Sequence, residues 1–190
     1  MNEHLLSLWN QSGEFARLQS ALREGDGPAA VYGAGEEAAL YLWAALLQHT
    51  GGLVVLPTER EAAQVADRLA AVLGSESVFF LPAREVQLRA YFARSRELSA
   101  TRIRALCALL TAPRAVVACS AEAALQRLAP PQALQDACTT LRVGECRDPE
   151  ALAASLRAAG YERVERVEAP GQFRLSGSIL DVFPCTVADP

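Results

Sequence analysis

A chain of 190 residues can form one hydrophobic core and a small second lobe. Its hydrophobic content of 51% and charged content of 21% are typical of soluble globular proteins, and no stretch is apolar and long enough to predict a transmembrane helix or an export signal. The formal net charge of -4 provides no global attraction for nucleic acid. We therefore expect a cytoplasmic protein without a membrane partner.

The first predicted element is a helix over residues 5–24, whose apolar side chains recur on one face at helical spacing. Glycine and proline within residues 25–28 end this helix. A short apolar strand is predicted over residues 29–32, and a helix over residues 36–49 follows a glycine turn. A strand, a glycine turn and a helix in this order are the usual setting of a phosphate-binding loop.

The chain then alternates short apolar strands with helices. The strands are predicted over residues 53–56, 78–82 and 115–119. Helices are predicted from residue 59 to about 73, over residues 99–111 and after Ser120. Thr58 and Glu61 form a capping box at the start of the first of these helices. Uniformly apolar strands between amphipathic helices indicate an α/β fold with a parallel sheet covered on both faces.

The pattern changes after Pro130-Pro131, where hairpin signals replace the alternation of strand and helix. Asp148-Pro149-Glu150 is a strong helix start, and Gly160 is suited to the end of that helix. Strands are predicted over residues 139–144, 173–175 and 179–183. These elements predict a small α+β lobe.

Three regions are therefore expected. Residues 1–27 form an N-terminal helix and connector, residues 28–130 form the α/β layer domain, and residues 131–190 form the α+β lobe. The sequence ends over residues 185–190 without a closing element, so we expect this lobe to be incomplete.

The glycine turn has lost the residues that a phosphate loop needs. It reads Gly33-Ala34-Gly35, but Glu36 and Glu37 stand where a lysine and a Ser/Thr hydroxyl would contact phosphate and magnesium. The whole chain contains no lysine, which we attribute mostly to compositional bias towards arginine. That bias does not explain two acids in the first turn, where carboxylates repel a triphosphate. The sequence therefore predicts no nucleotide hydrolysis, and the simplest interpretation of the glycines is a tight turn.

No catalytic or metal-binding constellation is predicted either. The five cysteines contain no CxxC pair, and His4 and His49 are far from them in sequence. The GxSxG motif of serine hydrolases is absent, and no histidine lies near a plausible nucleophile. We therefore predict no catalytic residue, no metal and no cofactor.

Several stretches carry a resemblance to one family. The most specific is AGYERVERVEAPGQFRLSGSILDVFP at residues 159–184. Weaker likeness lies in LVVLPTEREAAQVADRL at residues 53–69 and in VVACSAEAALQRLAPP at residues 116–131. Together they resemble the N-terminal module of bacterial transcription-repair-coupling factors, a module related to the excision-repair protein UvrB. The likeness spans roughly residues 28–184.

The resemblance implies a non-catalytic interaction module. The first lobe would be a degenerate helicase-like domain that has lost nucleotide binding, and the second would dock UvrA, the damage-recognition protein. By position in the motif, Arg163 and Arg174 would meet acidic groups on UvrA, and Phe183 would be a nearby apolar contact. Ser176 stands where the family usually has arginine, which would weaken docking. Full-length family members also engage RNA polymerase and DNA through a motor outside this chain.

Other interpretations remain. The α/β pattern and the glycine turn are also compatible with a nucleotide-binding ATPase domain of helicase type. UvrB itself is disfavoured, because it needs an intact phosphate loop and an aromatic-rich hairpin for which residues 83–98 are too short. Arg163 and Arg174 also fit solvated strand residues, and Phe183 fits a core residue.

Overall fold

A computed structural model of the chain describes residues 2–25, 27–84 and 96–186. The chain divides into two compact units. The first comprises Met1–Ala83 and Ala112–Ala124, and the second comprises Arg84–Thr111 and Leu125–Pro190.

The first unit begins with two helices, α1 (Asn2–Trp9) and α2 (Gly13–Glu24), so the prediction of one helix over residues 5–24 is wrong. Ser12 interrupts the helix with extended backbone angles, φ -86° and ψ 123°, and its hydroxyl accepts a hydrogen bond from the Phe15 N–H at 3.4 Å. Ser12 is therefore the N-cap of α2. The rings of Trp9 and Phe15 pack across the break, with centroids 5.9 Å apart.

A parallel sheet forms the centre of the first unit, as predicted, and it has three of the four predicted strands. Its strands are β1 (Gly52–Leu56), β2 (Val78–Leu81) and β3 (Val116–Ser120), in the spatial order β1-β3-β2. Every residue of β3 is buried. Helix α4 (Glu59–Leu73) connects β1 to β2, and it begins at the predicted capping box of Thr58 and Glu61.

The strand predicted over residues 29–32 is wrong. This segment is irregular and exposed, with Val31 at 50% and Tyr32 at 91% of full exposure. The three strands of the sheet pair with one another in the order β1-β3-β2, and residues 29–32 pair with none of them. Helix α3 (Glu36–Leu47) follows at the predicted start, so the turn leads into a helix without a preceding strand.

Helices α1 to α4 supply the core on one face of this sheet. The buried side chains come from all four helices and all three strands: Leu6, Phe15, Leu40, Leu42, Ala44, Ala45, Val54, Ala66, Leu69, Val78, Val116 and Ala118. On the opposite face of β1, Leu53 and Val55 remain 51% and 49% exposed. The prediction that both faces of the parallel sheet are covered is therefore wrong at the edge strand β1.

A short helix, α6 (Ala121–Leu125), follows β3 directly. The Ser120 hydroxyl accepts a hydrogen bond from the Ala123 N–H at 3.1 Å, which confirms the predicted N-cap.

Among its described residues, the second unit contains three helices, α5 (Arg96–Thr111), α7 (Pro131–Ala137) and α8 (Pro149–Ala158). Asp148 caps α8 by accepting the Glu150 N–H at 3.0 Å, and Pro149 occupies its first turn, as predicted. The strand predicted over residues 139–144 is wrong, because the segment is irregular and Val143 is fully exposed.

A second three-stranded sheet has the order β4-β5-β6, with β4 (Glu162–Arg163) parallel to β5 (Gln172–Ser176) and β6 (Ile179–Phe183) antiparallel to it. The turn between β5 and β6 uses Gly177 at φ 60°, which confirms the predicted hairpin. Helix α8 packs against the sheet, and the core lies between them. Its members are Ala153, Leu156, Tyr161, Phe173, Leu175, Leu180 and Val182.

Within the described ranges, no helix is both long enough and apolar enough to cross a lipid bilayer.

Gly51 offers a test of how tightly α3 is joined to β1. Its φ is 65°, and a Cβ there would lie 2.7 Å from the Ala115 carbonyl oxygen. Gly51→Ala should therefore lower the free energy of unfolding by about 2–5 kcal/mol, the sum of left-handed strain and overpacking against backbone. Gly25→Ala is the matched control, because Gly25 has φ 71° but open space around it, and should cost about 1–2 kcal/mol. Equal losses in urea unfolding would contradict the steric argument.

Candidate docking surface

The predicted phosphate-loop residues form a helix start occupied by acids. Gly35 is the N-cap of α3 with φ -68° and ψ 166°, and no side chain caps the helix there. Glu36 and Glu37 lie in the first turn, and Glu37 forms an ion pair with Arg68 of α4. Gly33 precedes them with φ 80°. The helix N-terminus, which would attract a phosphate, therefore has two carboxylates of its own.

The second sheet displays a mixed charged and apolar face on its β5–β6 hairpin. Residues directly opposite in an antiparallel pair point to the same side of the sheet. Phe173 pairs with Val182 and Leu175 with Leu180, and these four residues face α8. The other three pairs of the hairpin alternate with these two, and their side chains point away from α8. This outward face comprises Gln172, Arg174, Ser176, Ile179, Asp181 and Phe183.

Arg174 lies at the middle of the outward face, opposite Asp181. The Arg174 Nη1 and Asp181 Oδ2 atoms are 3.8 Å apart, and the two side chains are 48% and 50% exposed. An ion pair this long and this exposed contributes little to stability, of the order of 0–1 kcal/mol. A carboxylate on a partner can therefore compete with Asp181 for the guanidinium at small cost to the fold.

Arg163 is tied to the backbone of the sheet. Its Nη2 donates a hydrogen bond to the Leu175 carbonyl oxygen at 3.1 Å. The β4–β5 ladder explains this contact, since the Glu162 and Val164 N–H groups donate to the carbonyls of Gly171 and Phe173. The Leu175 carbonyl is the next along β5, where β4 has ended, and the guanidinium replaces the missing strand.

Phe183 is buried, with 6% exposure, although it belongs to the outward face. Its ring is therefore a packed side chain of this chain. Ile179 is the exposed apolar residue of the outward face, with 64% exposure, and it pairs with Ser176. Sequence reasoning missed Ile179, but the alternation that places Arg174 outward also places Ile179 there. Ser176, the position that departs from the family pattern, lies directly beside it.

Two side chains fix the connections around the outward face. The Gln172 Oε1 accepts hydrogen bonds from the Glu168 and Ala169 N–H groups at 2.8 and 2.9 Å, which orders the turn before β5. The Tyr161 hydroxyl accepts the Cys185 N–H at 3.1 Å and so holds the residues after β6. Burial raises the pKa of Tyr161, and the hydrogen bond from the Cys185 backbone partly offsets this.

In the part of the chain that the structure describes, no group of three or more His, Cys, Asp or Glu side chains is arranged to hold a metal ion. The arrangement of the second sheet instead suits recognition of another protein. Its outward face places an exposed apolar side chain next to an arginine whose carboxylate partner can be exchanged.

Residues 139–190 match the family model described as the UvrB interaction domain. The transcription-repair-coupling factor of Bacillus subtilis is 29% identical over 99% of this chain. The corresponding protein of Haemophilus influenzae is 31% identical over 73% of it, and that of Staphylococcus aureus strain USA300 is 30% identical over 59%.

The chain spans a small part of these relatives, 16% of the Bacillus protein and 12% of the Haemophilus protein. The resemblance read from residues 159–184 is nevertheless confirmed, since the domain match includes that motif. The chain is thus related over nearly its whole length to a segment of transcription-repair-coupling factors, and its residues 139–190 match the family model of the UvrB interaction domain.

Proposed function

We propose that this chain is a non-catalytic interaction module that recruits UvrA to stalled RNA polymerase in nucleotide excision repair. The observation that carries the proposal is the exposed Arg174 within the matched UvrB interaction domain. A module of this kind acts in the cytoplasm as part of a longer protein. The engagement of RNA polymerase and DNA, and the translocating motor, would belong to other parts of that protein.

The docking chemistry we propose is an exchange of ion pairs. In the free chain Arg174 is opposite Asp181 at 3.8 Å, a distance too long for a good charge-assisted hydrogen bond. An acidic side chain of UvrA would pair bidentately with the guanidinium and close that gap. Ile179 would bury its exposed surface beside this pair, as the apolar contact.

The two other residues that the resemblance assigns to docking would act differently from Arg174. Arg163 would hold the end of β5 through the Leu175 carbonyl and present its remaining N–H groups to the partner. Phe183 would act as a packed residue at the end of the outward face, because it is 6% exposed. Ser176 in place of arginine removes one charge from this face, which would lower the affinity for an acidic partner.

For the first unit we propose a degenerate helicase-type lobe without nucleotide binding. The support is the parallel sheet together with the acids at the start of α3. In this proposal the domains divide as residues 1–27, 28–130 and 131–190.

Loss of the Arg174 charge tests the docking proposal. Arg174→Ala should raise the Kd for UvrA about 10- to 100-fold, or about 1.5–3 kcal/mol, since a charge-assisted hydrogen bond is lost. The variant's stability should stay within about 1 kcal/mol of wild type, because the ion pair it removes is half exposed. Isothermal titration calorimetry and urea unfolding measure the two quantities.

Arg157→Ala is the matched control for charge. Arg157 is an exposed arginine on α8, and α8 packs on the face opposite Arg174. Its removal should leave the Kd for UvrA unchanged. The docking proposal fails if both variants bind UvrA as tightly as wild type, or if both lose affinity equally.

The alternative, a nucleotide-binding domain of helicase type, has its own test. Titration of the chain with ATP and Mg²⁺ should give no saturable binding, because Glu36 and Glu37 repel the phosphates and the chain has no lysine to bind them. Saturable binding that weakens when Gly35 is replaced by a bulkier residue would establish a working nucleotide site at this turn.

A further inference from the structure

Glu59, at the start of α4, makes a contact outside its own helix. Its Oε1 and Oε2 atoms accept hydrogen bonds from the Ala83 N–H at 3.1 and 3.0 Å. Glu59 lies shortly after β1, which ends at Leu56, and Ala83 lies shortly after β2, which ends at Leu81. Strand β3 lies between β1 and β2 in the sheet, so the contact joins the ends of two strands that are not neighbours. Both residues belong to the first unit.

The Ala83 N–H needs an acceptor that the sheet does not provide. Ala83 is 9% exposed and lies beyond Leu81, the last residue of β2 that pairs with β3. A buried backbone donor without a partner costs free energy. The Glu59 carboxylate supplies the acceptor, and an ionised acceptor makes a stronger hydrogen bond than a neutral one. The first turn of α4 also favours a negative charge at this position.

The contact lies at the carboxyl edge of the sheet, where all three parallel strands end. Ligands of open α/β sheets bind in the crevice outside this edge. The neighbouring polar side chains there are also bonded within the chain. Thr58 and Glu61 bond to each other reciprocally after β1, and the Ser120 hydroxyl at the end of β3 accepts the Ala123 N–H at 3.1 Å. These side chains therefore serve the fold.

We propose that Glu59 is a strap that closes the carboxyl edge of the parallel sheet, because it fixes the residue after β2 to the start of α4. While the strap is bonded, the segments that follow β1 and β2 cannot move apart, and the crevice between them stays closed to ligands. This closure is separate from the acids at the start of α3. It rests on the contact between Glu59 and Ala83 and does not depend on UvrA recruitment.

Hydrogen exchange of the full chain, resolved by residue with NMR, tests the strap. Glu59→Asp keeps the charge in the first turn of α4 but shortens the side chain by about 1.5 Å, the length of one carbon–carbon bond. The shorter side chain cannot keep the 3.0 Å contact. The Ala83 amide should therefore exchange about 10- to 100-fold faster, since a hydrogen bond to a charged acceptor is lost.

Glu59→Gln is the conservative variant. It keeps the length of the side chain and one acceptor oxygen, but its hydrogen bond is no longer charge-assisted. The Ala83 amide should exchange about 3- to 10-fold faster than in wild type, and more slowly than in Glu59→Asp. This variant tests the strap even if Glu59→Asp fails to fold.

Gly25→Ala is the control for general loss of stability, because it strains the same unit at a position with open space around it. It should speed exchange of Val117, which is fully buried in β3 and exchanges through global unfolding, and leave Ala83 unchanged. The proposal is overturned if Ala83 exchanges at the wild-type rate in both Glu59 variants. It is also overturned if Gly25→Ala speeds exchange of Ala83 as much as Glu59→Asp does.

Discussion

Backbone hydrogen bonding to one middle strand holds each of the two sheets together. In the first unit β3 pairs with β1 on one edge and β2 on the other, and all five of its residues are buried. In the second unit β5 has the same position between β4 and β6. Buried backbone groups must be paired, and each middle strand meets this requirement by pairing along both of its edges.

The second unit shows what happens when an edge is incomplete. Strand β4 pairs through two residues and then stops, which leaves the Leu175 carbonyl on β5 without a backbone donor. The Arg163 guanidinium supplies that donor at 3.1 Å. The stability of the sheet is thus linked to one of the two arginines of the candidate surface. Arg174, in contrast, contributes little to stability, because its partner Asp181 is half exposed and 3.8 Å away.

Local sequence signals predicted the elements that local physics controls. The apolar runs predicted β1, β2 and β3, and the capping box of Thr58 and Glu61 predicted the start of α4. Gly177 between two strand-like runs predicted the β5–β6 hairpin. The break between α1 and α2 was not predicted, although a local signal for it exists. Ser12 followed by Glu14 is an N-cap with an acid in the first turn.

The failures involve pairing partners that are distant in sequence. Residues 29–32 and 139–144 have the composition of strands, yet neither forms one, because local composition does not specify pairing with a distant strand. The residues of the candidate surface were likewise predictable only where a local pattern controls them. Alternation along the hairpin predicts that Arg174 points outward, but it also predicts an exposed Phe183, which tertiary packing buries. The contact of Arg163 depends on where β4 ends, and no local pattern specifies that.

In the proposed function, the outward face of the hairpin is the surface that meets UvrA. Hydroxyl-radical footprinting of the chain with and without UvrA tests it directly, with Ile179 as the reporter because its side chain is 64% exposed. Leu141 is the internal control, since it is 54% exposed and lies outside the hairpin. UvrA should slow the oxidation of Ile179 several-fold and leave the oxidation of Leu141 unchanged. Oxidation of Ile179 at the same rate in a saturated complex would contradict it.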